Sequence, residues 1–469
     1  MSVFLWLGIA LGGPVDLPVH PPPVAAQTID DCVAPSQRPP LETFTDPTLP
    51  AQGYRLELRA DRLLLKGADP AGLRYGADTL AQLPDDAACL VIDDAPRLTR
   101  RWAHVQLPGR STGGDPLFPR HQAKVPAVAR YQGTSDYLPL LEHLLDSAVA
   151  ARLNGIVLEL NGMWRLPSHP ELALPWAAPL ESLGPWLARA REQGVEVVPL
   201  VPLFTHQEQL LAPVYPELML APMRHFPKKR AGPPDTLFWW NPISDPSLPR
   251  VQQLREDLLR DVVTIFEPKM VHVGHDEAGA LRFTQAEAPD LFAASVSHAH
   301  KVVQALGAGL AIWADMLLDG RRIAGTAHGN EAGTPTWKAL SKLPADVVLV
   351  DWQYHGAVTP WPQDGFIEDV PSLRFLAGSG RPVMGTALGR PLNKLPVPKS
   401  RTLQVHQSAR IARTLHALDT EGAEVFGHLT AHFGLTPDRL DPWPGTDTAG
   451  SIYVAGLHGW TGGEQIWPR

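Results

Sequence analysis

The chain has 469 residues, a formal net charge of −8 and 44% hydrophobic residues. That length suits one large domain with a smaller companion, and that composition excludes a disordered chain. Positive charge is scattered rather than gathered on one face, which argues against nucleic acid as a partner, and no run approaches the roughly 18 apolar residues of a membrane span.

Residues 1–50 are proline-rich and aperiodic. Val3 to Leu11 form a short apolar run and Val24-Ala25-Ala26 could pass for a cleavage site, but a basic leader is missing and Pro14 and Pro18 interrupt the stretch. Export stays open on this reading, and localisation is unknown. The two cysteines, Cys32 and Cys89, make no CxxC, so a thiolate zinc site or dithiol centre is excluded. Two free thiols are expected, with a Cys32–Cys89 bridge as the alternative in an exported protein. From Gly53 the pattern changes. Tyr54, Leu56 and Leu58 alternate with charged residues, Leu63 to Leu65 follow a turn, and Pro70 to Leu83 reads as a helix. Residues 1–94 are therefore read as a small α+β domain.

Beyond Pro96 short β-rich runs alternate with helical stretches. The runs are Trp102–Leu107, Gly155–Leu160, Val195–Val201, Met270–Val273, Leu310–Ala314, Val347–Trp352, Pro382–Thr386 and Ala423–Leu429. Between them, Leu141, Leu144, Leu145, Ala148 and Val149 form one helical stripe, and Leu254, Leu258, Val262 and Ile265 form another. This alternation predicts an α/β fold, a (β/α)8 TIM barrel over residues 95–469. The alternative, an open doubly wound sheet, would carry a Gly-rich phosphate turn after an early strand, and the sequence has none.

A barrel of this kind does its chemistry at the C-terminal ends of its strands. The fourth run ends most pointedly, in Met270-Val271-His272-Val273-Gly274-His275-Asp276-Glu277. Two adjacent carboxylates there are costly unless used or solvated, and the plain alternative is that they cap the following helix. Continued strand alternation would send Asp276 and Glu277 to opposite sides. They would then be unable to straddle a glycosidic bond, although one could act as acid while the other orients the substrate. The same alternation separates His272 from His275, so no metal site is expected, and no cofactor.

The run HVGHDE resembles the H-x-G-x-D-E strand end of glycoside hydrolase family 20, the β-N-acetylhexosaminidases. The segment GYRLELRADRLLLKGADPAGLRYGADTLAQL is similar to the small domain that precedes the barrel in that family. Further likenesses are Pro96-Arg97-Leu98 with Arg101, Leu153-Asn154, Val198-Pro199 with His206, Trp313 in AIWADM and Trp352 in VDWQY. The resemblance covers about residues 53–355. It implies a retaining, substrate-assisted hydrolase whose substrate is a glycan bearing N-acetylhexosamine. The substrate's own acetamido oxygen would attack the anomeric carbon. Glu277 would protonate the leaving oxygen and Asp276 would hold the acetamido N–H. Arg101 and His206 would contact the sugar, unless Arg101 makes only a barrel-end ion pair and His206 only backbone bonds. Trp313 and Trp352 would wall the site, with Asp315, Asp351 and Tyr354 as partners for sugar oxygens.

The departures from the family pattern are His275, Glu159 in place of a histidine, Leu200 and Pro202 before His206, and seventh and eighth strands without Tyr-x-Asp and Trp-x-Glu. They keep two alternatives open: a related glycosidase for a different sugar, and a carbohydrate-binding barrel without turnover.

Overall fold

The alternation at Tyr54, Leu56 and Leu58 becomes a strand whose three side chains are all buried. It belongs to a five-stranded mixed sheet made of β1 (Ala25–Thr28), β2 (Leu41–Thr45), β3 (Tyr54–Leu58), β4 (Leu63–Gly67) and β5 (Leu90–Asp94), in the order β1-β5-β3-β4-β2. Helix α1 (Pro70–Gln82) packs on it through Tyr75. Its start is set by Pro70 and by Asp69, whose carboxylate accepts the Gly72 N–H at 2.9 Å. In this computed structural model the described residues are 25–29, 38–107, 137–220, 242–284, 286–323, 334–353, 369–389, 397–433 and 447–463, with single positions at 21, 23 and 32. Strand β2 has no counterpart in the sequence reading because it is an edge strand with every residue exposed, so no burial pattern marks it.

The expectation of free thiols is corrected. Antiparallel pairing of β1 with β5 sets Thr28 opposite Leu90, and the Ile29 N–H donates to the Cys89 carbonyl at 2.9 Å. The chain is thereby led past Cys89, and Cys32 and Cys89 form a disulfide with a Cα–Cα separation of 5.8 Å.

The barrel expectation is met. Eight parallel strands close on themselves: β6 (Arg101–Gln106), β7 (Gly155–Glu159), β8 (Glu196–Leu200), β9 (Met270–His272), β10 (Gly309–Trp313), β11 (Val348–Gln353), β12 (Val383–Leu388) and β13 (Val425–Phe433). The helices that follow are α2 (Leu138–Ala150), α3 (Gly184–Glu192), α4 (Pro249–Phe266), α5 (Ala288–Ala305), α6 (Pro371–Ala377), α7 (Val397–Thr420) and α8 (Asp447–Thr461), and the β10–β11 connection carries 3₁₀ turns at Pro335–Lys342. One parity of each strand faces the lumen, where Trp102, Val157, Val198, Ala311, Val350 and Met384 pack together. The other parity, such as Ile156, Val271, Ile312 and Leu349, packs against the helices. Both faces are therefore dry, which is why these runs read as nearly continuous apolar stretches.

The last helix also serves the small domain. Trp460 of α8 lies in that domain's core, its carbonyl accepts the Arg97 N–H at 2.8 Å, and its indole N–H donates to Asp94 at 3.0 Å. Two fully buried arginines fill the junction. Arg152 pairs with Asp94 at 3.2 Å, and the Arg101 guanidinium donates to the Arg152 carbonyl at 2.9 Å, the Leu98 carbonyl at 2.8 Å and the Tyr75 hydroxyl at 2.8 Å. Both lie over the Trp460 ring, at 5.1 Å and 4.5 Å for Arg101 and Arg152. No helix among the described residues is long and apolar enough to cross a membrane.

Candidate active site

Strand β9 ends at His272, and the backbone then leaves the extended region. Gly274, His275 and Glu277 have φ of +70°, +81° and +49°. Glycine takes such a value freely. The two L side chains hold it at a strain of order 1–3 kcal/mol each, which persists only where the surroundings enforce it. The turn corrects the expectation of strict alternation. Both acids reach the same histidine, with His206 Nε2 3.2 Å from Asp276 Oδ2 and 3.6 Å from Glu277 Oε2. One ligand atom from each of His206, Asp276 and Glu277 falls within 4.8 Å of the others.

His206 arrives on the loop after β8 and also has a left-handed backbone, φ +56°. Its Nδ1 lies 3.3 Å from Glu208 Oε1, so the ring bridges two carboxylates rather than binding backbone. Burial pushes the imidazole toward neutrality, but the charge and hydrogen bonds of Asp276 and Glu208 outweigh it and hold the ring well above its ordinary pKa. For Asp276 burial acts upward, and the His206 charge and hydrogen bond reverse the balance and hold the carboxyl below the usual range. The result is an anionic Asp276 held by an imidazolium.

Asp315 follows β10 and accepts the Glu277 N–H at 2.9 Å. It is buried. That burial, with the nearby Asp276 charge, pushes its carboxyl well above the ordinary range, while the Glu277 N–H and the Trp352 side chain act the other way. It sits behind the turn as an anchor for the Glu277 backbone. Trp313 and Trp352 close β10 and β11 on the lumen side, and the Trp313 N–H donates to the Gly274 carbonyl at 2.9 Å.

The structure thus brings Asp276, Glu277, His206, Asp315, Trp313 and Trp352 to one end of the barrel. It does not bring Arg101, which opens β6 and so lies at the opposite, N-terminal end, its donors spent on the domain junction. Asp351 is next to Trp352 in a strand and therefore faces the other way. It accepts from Ser372 Oγ of α6 at 2.5 Å and from Gln353 at 3.1 Å, and burial pushes it up to about 6 against those two bonds. Tyr354 lies outside the described residues.

A polar group in the lumen escaped the sequence reading as a site. His104 Nε2 lies 3.0 Å from Glu159 Oε2, and Gln106 donates to Glu159 Oε1 at 2.8 Å. His272 accepts the Gly274 N–H on Nδ1 at 3.1 Å, and its ring packs 4.6 Å from Trp313. Burial, together with His104, drives His272 well below its ordinary pKa, so it is neutral. The available signal was Glu159, a charged end to the otherwise apolar strand Gly155–Glu159, with His104 and Gln106 spaced by two on the strand beside it.

Two family models match the chain. The one described as glycosyl hydrolase family 20, domain 2 covers residues 16–95, and the one described as glycosyl hydrolase family 20, catalytic domain covers residues 185–356. No curated protein sequence matches. Among solved structures, the β-N-acetylhexosaminidase from Bacteroides fragilis NCTC 9343 is similar at a TM-score of 0.61 and 17% identity, over 94% of this chain and 90% of that one. An exo β-N-acetylglucosaminidase from Vibrio harveyi, in complex with N-acetylglucosamine, is similar at 0.56 and 13%, over 97% and 76% of the two chains. The Streptomyces plicatus N-acetyl-β-hexosaminidase with Thio-NAglucal gives 0.57 and 15%, over 90% and 78%. Identities this low speak for a shared fold, and the two family models cover the small domain and the half of the barrel that carries the paired acids. The chain belongs to glycoside hydrolase family 20.

Proposed function

We propose that the protein is a retaining glycosidase that releases terminal N-acetylhexosamine by a substrate-assisted route. The observation that carries this reading is the side-by-side placement of Asp276 and Glu277 at the strand ends, with Asp276 kept anionic by His206 at 3.2 Å. Two acids that meet one histidine on the same side do not form the opposed pair of an ordinary retaining enzyme, so the nucleophile has to come from the substrate. An anionic Asp276 suits the acetamido N–H, which gains positive character as its carbonyl oxygen attacks the anomeric carbon. Glu277 gives a proton to the leaving oxygen and then takes one from the incoming water. Trp313 and Trp352 supply the apolar wall against which a sugar face stacks. The Vibrio harveyi relative that holds N-acetylglucosamine supports the same class of sugar, and the Cys32–Cys89 bridge supports folding in an oxidising compartment.

The test is Glu277→Gln. It should keep the fold and lose about 10²–10⁴ of kcat on an aryl N-acetyl-β-glucosaminide, and a variant with wild-type kcat would remove Glu277 from the acid role. A glycosidase for a different sugar is the second reading. It is favoured by β12 and β13, whose lumen parity offers Thr386 and Leu429 in place of strong hydroxyl partners.

A further inference from the structure

His275 lies between the two acids' turn and the rest of the barrel, and the chemistry above leaves it unused. It is fully buried. Its Nδ1 lies 2.9 Å from the Val273 carbonyl, which can only accept, so Nδ1 carries the proton; Nε2 then accepts the Ser295 hydroxyl at 2.8 Å. One ring is thus tied to its own loop and to α5. Its face is stacked on Phe204, with centroids 5.0 Å apart and planes 23° from parallel. Phe292 of α5 meets both rings edge-on, at 5.5 Å from His275 and 5.9 Å from Phe204. Phe204 is two residues before His206. Its carbonyl accepts the Ser244 N–H at 2.9 Å, and Arg255 of α4 donates to the neighbouring Leu203 carbonyl at 3.1 Å. The stack therefore joins the loop that carries His206 to the turn that carries Asp276 and Glu277.

We propose that His275 is a positioning residue that locks the His206 loop against the Asp276–Glu277 turn and so keeps the His206–Asp276 bond. This rests on reading the two acids as the catalytic pair. The titratable groups acting on the ring are Arg255 from α4, Asp276 on its own loop and the neutral His272 at the end of β9, and α5 meets the ring through Ser295 and Phe292. Burial and the Arg255 charge push His275 down to about 3, so at neutral pH it is an uncharged wedge and not a proton carrier. A β-carbon at φ +81° is tolerated here because the stack and two hydrogen bonds over-determine the ring.

His275→Gly tests this directly, since glycine takes that φ without steric cost and the backbone is spared. Two readouts are needed: the pH at which His206 titrates, followed by NMR, and kcat and KM on an aryl N-acetyl-β-glucosaminide. The expected result is a His206 midpoint lowered by about one unit or more, kcat down about 10–100-fold and KM within about threefold. Added imidazole, or His275→Asn, should restore part of both. A His206 midpoint and kcat at wild-type values would overturn the proposal. Ser295→Ala is the second variant should the glycine form fail to fold. It should lower the His206 midpoint in the same sense, and an unchanged midpoint would overturn the proposal equally. A wild-type protein that hydrolyses no hexosaminide would sink the functional reading, while the His206 titration would still decide the role of His275.

Discussion

The two ends of the barrel each bury a charged cluster, and they are built on opposite plans. At the N-terminal end, Arg101 and Arg152 are fully buried; Arg152 pairs with the Asp94 carboxylate, while Arg101 spends its donors on backbone carbonyls and the Tyr75 hydroxyl, and both lie over the Trp460 face. At the C-terminal end, Asp276, Glu277 and Glu208 surround a single His206, with Asp315 behind the turn, and the His206, Asp276 and Glu277 side chains keep 19%, 22% and 33% of their exposure. A cluster closed to water, with its guanidinium donors met by one carboxylate, carbonyls and a hydroxyl, holds the small domain to the barrel. A cluster that gathers carboxyl groups, strained backbone and access to solvent at one place has the features of a functional site.

Four substitutions would break or sharpen that contrast. The largest effect on turnover belongs to Glu277→Gln, with its loss of about 10²–10⁴ in kcat and a melting temperature close to wild type. The mirror experiment is Asp94→Ala, which leaves Arg152 buried without its counter-charge. It should cost about 3–5 kcal/mol in denaturant unfolding, with kcat per folded molecule preserved. A matching loss of kcat would show that the lower cluster is more than structural.

The third is read in pH. Buried Asp351 has its pKa raised from 3.8 to about 6. Its stabilising protonated form is complete below 3.8 and is lost as pH rises through about 6. Asp351→Asn should remove that slope, worth roughly 3 kcal/mol between pH 4 and pH 7 in the wild type. The upper pair runs otherwise. Asp276, lowered in the folded state, stabilises above 3.8 and loses that contribution as pH falls through its lower folded value. His206, raised in the folded state, stabilises below 6.5 and loses it as pH climbs through its higher folded value. Their joint contribution is complete between those two ordinary values, and a stability profile of Asp276→Asn that matches wild type across that window would contradict the pairing.

The barrel was legible because parallel strands dry on both faces leave apolar runs that survive in any single sequence, and all eight fall near where Trp102–Leu107 through Ala423–Leu429 place them. The paired acids were legible for a related reason: charge at the end of such a run is conspicuous. What sequence could not convey is direction. The resemblance gives Arg101 to the sugar, but that residue stands at the start of β6 and so at the opposite end of the barrel from the paired acids. Asp351 neighbours a lumen tryptophan and for that reason faces the helices. The turn at Gly274-His275 overrides alternation, because positive φ values reset which side each acid faces. The Cys32–Cys89 bridge, 57 residues apart in sequence, depends on β1 finding β5, a pairing with no local signature.

The most direct measurement compares wild-type hydrolysis of an aryl N-acetyl-β-glucosaminide with that of the same aryl β-glucoside bearing a hydroxyl at C2. A substrate that must supply its own nucleophile gives turnover on the first and none above background on the second. Comparable rates on both would show that the acetamido group takes no part, and that Asp276 and Glu277 work by some other chemistry.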